Sequence, residues 1–377
     1  MANVSKLLYA PTSAPNLLKN LHADDALLRE ARRKIRQCLR AAFKAASLSV
    51  FGQEVAPRFF TQGSHAYGTM NAPCWSPPQQ KDLDDGCYLP LSFVRGARPS
   101  QAAKLFFEFV DRTLKALAQR EGWTHRQKPT CVRLEISADA HVDIPLYAIP
   151  DRDFALLEAR SLHSKTASAT PRPDHWDALP HDAVLLAHRD DYWMESDPRK
   201  IHDWFVDAVE NVHDESLRRD CRFLKAWRDY HQLDLHHCSS ILLMVCAWRE
   251  YERLGVSLDD DREDRRLMQI VDRSPTHLAG PVQNPACDKE EDLNRMTQEE
   301  RRRVVAAAEK LRAHLRTIVN SCSNQARAVE LLRAEFGDRV PDRPDLVIVG
   351  VAAATATVMS TPRKAVAAPE VGRSKSG

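Results

Sequence analysis

The stretch Lys81-Asp82-Leu83-Asp84-Asp85-Gly86 carries two aspartates two positions apart. On a β-strand such a pair shares one face, because side chains alternate at period two, and Asp85 turns to the other. Upstream lies Gln62-Gly63-Ser64, and downstream Asp143 is embedded in the apolar run Val142-Asp143-Ile144-Pro145-Leu146-Tyr147. A carboxylate inside such a run is costly unless it is paired or bound to metal. Gly63 permits close backbone approach, and Ser64 offers a hydroxyl and an amide at a helix start, where phosphate is favoured. Three carboxylates and a phosphate-side turn are the parts of nucleotidyl transfer assisted by two divalent ions about 3.5–4 Å apart. Asp82 and Asp84 are expected to bridge both ions, with Asp143 holding the ion at the nucleophile. Two magnesium ions suit this oxygen-ligand set, with manganese as the alternative.

The elements that must position these residues are legible in outline. From Asp24 to about Leu48, Leu28, Ala31, Ile35, Cys38 and Ala42 recur at helical spacing. Phe59 to Gly68 holds the Gly-Ser turn, Asn71 to Gln80 is a Pro-rich loop, and Asp82 to Phe93 reads as strand broken by Gly86. Pro99 to Arg120 is helical, while Cys131–Ile136 and Ala140–Ile149 read as strands of a partly buried sheet. This makes an α/β lobe. Ala159 to Arg189 has little periodicity and is expected to be a long surface loop.

Beyond it the pattern turns helical. Asp197 and Pro198 form a helix start, with Ile201, Trp204, Phe205, Ala208, Val209 and Val212 as its apolar stripe. Leu217, Cys221, Leu224 and Ala226 mark a second helix, Ser239-Ser240 opens a third, and Thr297 to Glu300 is a capping box opening a helix to about Val319. The charge-rich stretches Asp259–Arg266 and Asp288–Arg303 read as solvated loop and helix faces. From Val351 the composition is that of a disordered tail. The expected organisation is an N-terminal helical spine (1–50), a catalytic core (51–190), a helical lobe (191–345) and a tail (346–377).

Composition narrows the class further. The chain has 377 residues, 43% hydrophobic and 28% charged, with a formal charge of +2, as in an ordinary globular protein with a balanced surface. No run approaches the roughly 18 apolar residues of a membrane span, and the N-terminus does not read as a secretory signal. The nine cysteines form no CxxC and are odd in number, which points to a reducing cytoplasm. His236-His237-Cys238 lacks a second ligand cluster at zinc spacing. By themselves, Ser239-Ser240 is an ordinary helix cap and Lys225 a surface lysine.

The longer motifs carry a resemblance. Pro57-Arg58-Phe59-Phe60-Thr61-Gln62-Gly63-Ser64 with Asp82-Leu83-Asp84-Asp85-Gly86, the run from His141 to Pro150, Ser196-Asp197-Pro198, Asp203-Trp204-Phe205 and the run from Cys221 to Asp229 resemble bacterial cGAS/DncV-like nucleotidyltransferases, particularly the DncV-type dinucleotide cyclases. The match runs from about Asp24 to Val340. It implies a polymerase-β-like catalytic lobe, a helical-bundle lobe and an active site in the cleft between. It also implies synthesis of a cyclic dinucleotide second messenger, cyclic GMP-AMP or a related cyclic dinucleotide, from ATP and GTP in anti-phage (CBASS) defence, the product acting on a separate effector.

Residue by residue, the resemblance assigns Gln62, Gly63 and Ser64 to the phosphate-side turn and Asp82, Asp84 and Asp143 to the metal. Lys225 and Ser240, with Ser239 beside it, match triphosphate-binding positions, although one extra residue separates Lys225 from the serines. Tyr67, Arg133, Ser196 and Asp197 resemble positions lining the nucleotide pockets; for Asp197 helix capping is an equal reading. The loop after Val256 is shorter than the family pattern, which bears on any regulatory ligand there. The zinc ribbon of animal relatives is absent, so no double-stranded DNA activator is expected. The terminal Gly377 resembles glycines used by ubiquitin-like conjugation enzymes. The alternatives are a linear oligonucleotide synthetase or other polymerase-β-like nucleotidyltransferase, a nucleotide-binding regulator with a dead site and, poorest, a nucleic-acid-binding module.

Overall fold

The computed structural model describes all residues except 13, 96–98, 158–183, 234–236, 256–257, 259–261, 288–290 and 351–377. Its first lobe is a mixed sheet covered by two long helices. In chain order the elements are α1 (Ala26–Phe51), β1 (Arg58–Gln62), the short α2 (Gly63–Ala66), β2 (Lys81–Pro90), α3 (Pro99–Glu121), β3 (Thr124–Gln127), β4 (Cys131–Ser137), β5 (Ala140–Ile149), β6 (Leu185–His188) and β7 (Tyr192–Glu195). The sheet order is β1-β2-β5-β4-β3, with β6 paired to β5 and β7 to β6. Among the described strands only β2 and β5 run parallel; the other pairs are antiparallel. That central pair is the most deeply covered, as a parallel ladder requires.

Gly86 does not break the strand: β2 runs unbroken from Lys81 to Pro90. The glycine is needed because a Cβ there would stand 2.7 Å from the Tyr88 ring and 3.0 Å from that of Tyr147. Those two rings stack with centroids 4.6 Å apart, and their packing fills the space a side chain at 86 would take. On α1 the buried stripe is Leu28, Ala31, Ile35, Leu39 and Phe43, one residue beyond the expected Cys38 and Ala42, which are half-buried. Each fully buried Leu, Ile or Phe contributes about 1.5–3 kcal/mol, so this face docks the helix on the sheet. The expected loop to Arg189 ends instead in the β6–β7 hairpin; residues 158–183 lie outside the described part.

The second lobe is helical: α4 (Pro198–Asp207), α5 (Glu215–Tyr230), α6 (Ser240–Leu254), α7 (Glu263–Val271), α8 (Gln298–Asn320) and α9 (Gln325–Phe336). Asp197 caps α4, Ser239 caps α6, and Thr297 with Glu300 forms the capping box of α8. Val212, expected on the apolar stripe of α4, is exposed, because a π-type turn over Ala208–Val212 shifts the register.

Charge patterning misleads at α7. Asp264 and Arg266 are buried rather than solvated. Arg266 Nε donates to Asp220 Oδ2 at 2.9 Å, and Asp264 accepts from the Val4 amide at 2.8 Å. Burial is tolerable because each charge finds a partner.

The chain termini also pack differently from the expected spine and tail. Leu7, Leu8, Leu17 and Leu21 belong to the core of the helical lobe, whereas α1 belongs to the core under the sheet. Ile348–Val349 pairs antiparallel with Ala2–Asn3, so the chain remains in the folded body past residue 346. Residues 351–377, including Gly377, lie outside the described part.

Candidate active site

The site is assembled by register. Across the parallel β2–β5 pair Asp82 sits opposite His141 and Asp84 opposite Asp143; across β4–β5 Arg133 sits opposite Asp143. Period-two alternation sends these five side chains to one face of three neighbouring strands, while Leu83 and Val142 point into the core and are fully buried. Asp85, on the other face, accepts from Arg36 Nε on α1 at 2.7 Å and from Thr61 Oγ1 at 2.9 Å. It therefore ties α1 to the sheet and stands outside the site.

The Gly-Ser turn closes over the aspartates from β1. Gly63 has φ +70°, and a Cβ on it would collide with Asp84 Oδ2. Both facts demand glycine: a left-handed backbone and a carboxylate against the chain. Ser64 lines the cavity, and Gln62 donates to the Tyr147 hydroxyl at 3.0 Å, anchoring the end of β1.

From the helical lobe comes Lys225 on α5, which is buried, not a surface lysine. Its Nζ donates to the Thr69 carbonyl at 2.6 Å. Thr69 lies just ahead of the Pro-rich loop between α2 and β2, and the helical lobe holds that loop as well. The Trp75 indole donates to the Tyr230 carbonyl at 3.0 Å, and Gln79 Nε2 to the Asp229 carbonyl at 2.9 Å. Ser240 Oγ accepts from Arg228 at 2.9 Å.

Between the lobes these groups enclose a cavity of about 400 Å³, within the range of small-molecule sites. Gly63, Ser64 and Tyr67 line it on one side, Asp82, Asp84 and Arg133 below, and Lys225, Ser239 and Ser240 opposite. Asp143 lies beneath Arg133, which holds both its oxygens. Ser196 and Asp197 do not line the cavity. The Ser196 amide donates to Val184, and the Asp197 carboxylate caps α4 and binds Arg199 at 2.9 and 2.7 Å, so capping is the role the fold gives it.

Electrostatics mark the cavity as a place for opposed charges. Burial, then the charges of Asp82 and Asp143, pushes the Asp84 carboxyl well above its ordinary range, with Arg133 opposing. Burial, reinforced by Arg228, lowers the Lys225 ammonium to about 7. A divalent cation beside the aspartates and a polyanion beside Lys225 would each relieve these costs. Asp82, His141 and Asp143 each offer a ligand atom, all within 4.8 Å of one another. Asp82 Oδ1 and His141 Nε2 face each other at 2.9 Å, and the chemistry of this carboxylate-rich donor set fits a cation.

Sequence reasoning passed over His141, Arg228, Asp229 and Thr69, all of which line the cavity. His141 was detectable in principle, since it lies two residues before Asp143 and so shares its strand face. Among the described residues no helix is long and apolar enough to cross a membrane.

Comparison with known proteins agrees with this architecture. The family model described as "Cyclic GMP-AMP synthase DncV-like, nucleotidyltransferase domain" matches residues 57–147, and "Cyclic GMP-AMP synthase, C-terminal domain" matches residues 214–349. The cyclic GMP-AMP synthase of Vibrio cholerae is 32% identical over 312 residues, spanning 78% of this chain and 70% of its own. A cyclic GMP-AMP synthase of Escherichia coli strain TW11681 is 37% identical over 205 residues, 51% of this chain and 46% of that one. The crystal structure of Vibrio cholerae DncV with the linear intermediate 5′ pppA(3′,5′)pG superposes with a TM-score of 0.76 at 26% identity, covering 93% of this chain and 99% of that one. Fold, cleft and sequence thus converge, and the chain belongs to the DncV-like cyclic dinucleotide synthases, a family of nucleotidyltransferases.

Proposed function

We propose that the chain joins ATP and GTP into cyclic GMP-AMP by two successive nucleotidyl transfers in this one cleft. The observation that carries this reading is the convergence of Asp82 and Asp84 with Gly63-Ser64 and Lys225 on one cavity, Asp143 behind them on the same sheet face. The similarity to cyclic GMP-AMP synthases, one caught with a linear dinucleotide, supports the choice of product.

In this mechanism Asp82, Asp84 and Asp143 would hold two divalent ions, magnesium or manganese. Once bound, the ions supply charge neutralisation for the hydroxyl and the triphosphate. The remaining work belongs to the chain. The Gly63 and Ser64 backbone receives phosphate oxygens where no side chain intrudes. Lys225 and Ser240 hold the triphosphate from the helical lobe, Lys225 as a point cation. Tyr67, and Arg133 beside the aspartates, orient the nucleotide, and the two lobes keep the attacking hydroxyl in line.

The same reading places the enzyme in the bacterial cytoplasm, signalling phage infection to a separate effector through its product. Double-stranded DNA is not the proposed activator. Gly377 is proposed as a substrate of ubiquitin-like conjugation. Purified protein incubated with radiolabelled ATP, GTP and magnesium should yield a phosphatase-resistant product with the mass of cyclic GMP-AMP. A phosphatase-sensitive ladder would favour a linear synthetase instead. Equal yield from the Asp82→Asn/Asp84→Asn double variant would remove the basis of the proposal.

A further inference from the structure

Arg228 Nη1 donates to Ser240 Oγ at 2.9 Å, and a guanidinium can only donate, so the serine oxygen accepts. The hydroxyl hydrogen is thereby turned away from Arg228, and among the described residues no acceptor takes it. Ser240 is half-buried and lines the cavity, so that hydrogen is left for a ligand. Accepting from a cation also polarises the O–H bond and makes it a better donor. The oxygen of the neighbouring Ser239 is engaged in capping α6, where it accepts from the Leu242 amide at 3.2 Å.

Arg228 is itself held in place. Its Nε and Nη2 both donate to Asp229 Oδ1, at 2.9 and 2.7 Å, and its Nη1 also reaches the Cys238 carbonyl at 3.3 Å. The Asp229 main chain is fixed from the other lobe, where Gln79 Nε2 donates to its carbonyl. The Arg228 and Asp229 side chains are 12% and 13% exposed, so the pair is a fixed fork rather than a loose surface bridge. Lys225 lies three residues before Arg228 on the same face of α5, and both line the cavity.

We propose that Arg228 is a positioning residue for the triphosphate: gripped by Asp229, it aims the Ser240 hydroxyl at a phosphate oxygen. The two cations of α5 thus divide the work. Lys225 meets the phosphate charge directly, whereas Arg228, its own charge offset by Asp229, acts through the serine. A lysine at 228 would keep the charge but lose the planar fork that binds Asp229 and Ser240 at once. The inference deepens the proposed function and rests on its placing of the triphosphate against Lys225 and Ser240.

A double-mutant cycle on the full chain tests it, read by calorimetry with inorganic tripolyphosphate and a non-hydrolysable GTP analogue as probes. Ser240→Ala should weaken binding by about tenfold, and Arg228→Lys by roughly three- to tenfold. In the Ser240→Ala background Arg228→Lys should change affinity by less than about twofold, because the hydroxyl it would aim is gone. Asp229→Asn leaves the guanidinium present but loosens it. It should give a smaller loss with the same dependence on Ser240, and it serves if Arg228→Lys does not fold. Equal losses from Arg228→Lys in both backgrounds, or wild-type affinity in folded Arg228→Lys, would overturn the proposal. Cyclic product from a wild type whose cycle shows no coupling overturns the positioning role alone. Coupling in the cycle without cyclic product overturns the choice of product alone.

Discussion

Arg133 on β4 donates to both carboxylate oxygens of Asp143 on β5, at 2.7 Å each. A side-chain cation thus offsets one of three clustered carboxylates before any metal arrives. In Arg133→Met that charge is lost and the aspartates repel unopposed. Stability without metal should fall by about 1–3 kcal/mol, the usual cost of stranding a buried charged partner. Millimolar Mg²⁺ or Mn²⁺ should restore most of it, because the ions replace the missing charge. Thermal unfolding with chelator and with added ions measures both numbers, and a loss indifferent to metal would mean that Arg133 acts by packing alone.

At Gly63 backbone and site coincide. Gly63→Ala places a side chain at φ +70° and against Asp84. The left-handed backbone costs roughly 1–2 kcal/mol, too little to unfold a chain of this size. Product synthesis should nevertheless drop by at least a hundredfold, since displacing Asp84 misplaces a carboxylate of the proposed metal set. Circular dichroism paired with a product assay would separate the two effects.

If Lys225 holds the triphosphate as proposed, triphosphate affinity should depend on pH. Burial lowers its ammonium to about 7, whereas an unfolded lysine titrates near 10.5. Between those values the folded chain binds fewer protons than the unfolded one, so this group's penalty on stability is full below about 7 and is relieved as pH rises. Binding runs the other way. A bound triphosphate requires the charged amine, so above about pH 7 binding takes up a proton and affinity weakens, by at most about tenfold per pH unit. Calorimetry of a non-hydrolysable triphosphate in buffers of different ionisation enthalpy should detect the proton, and Lys225→Met should abolish its uptake.

Asp85 separates structural from chemical aspartates on one strand. Asp85→Ala leaves Arg36 without its carboxylate and should cost about 3 kcal/mol. Mn²⁺ affinity of the folded fraction should stay within about twofold of wild type. Asp82→Asn is expected to do the reverse, sparing stability while lowering Mn²⁺ affinity. Chemical denaturation and Mn²⁺ titration of the two variants decide between these roles.

The site was readable wherever local pattern carries the chemistry. Period two alone separates Asp82 and Asp84 from Asp85, and an aspartate within Val142–Leu146 announces itself because burying a charge is costly. Gly63 and the helix starts at Asp197, Ser239 and Thr297 are equally local, since turns and caps are satisfied within a few residues. Where the local signal was ambiguous the reading went astray: Asp264 and Arg266 look like solvent-facing charge until the partners that bury them come from Val4 and Asp220.

What the sequence by itself determined, then, is the inventory: three carboxylates, a phosphate-side turn, an α/β lobe and a helical lobe. Only the tertiary structure decided which residues meet. The β2–β5 register puts His141 beside Asp82, and β4 lays Arg133 across Asp143. The chain between α2 and β2 brings the Thr69 carbonyl to Lys225, 156 positions away in the sequence. These contacts depend on strand register and lobe docking, which are set by the summed burial of two cores rather than by any short motif. The clustered aspartates were therefore legible in the chain, and the company they keep was not.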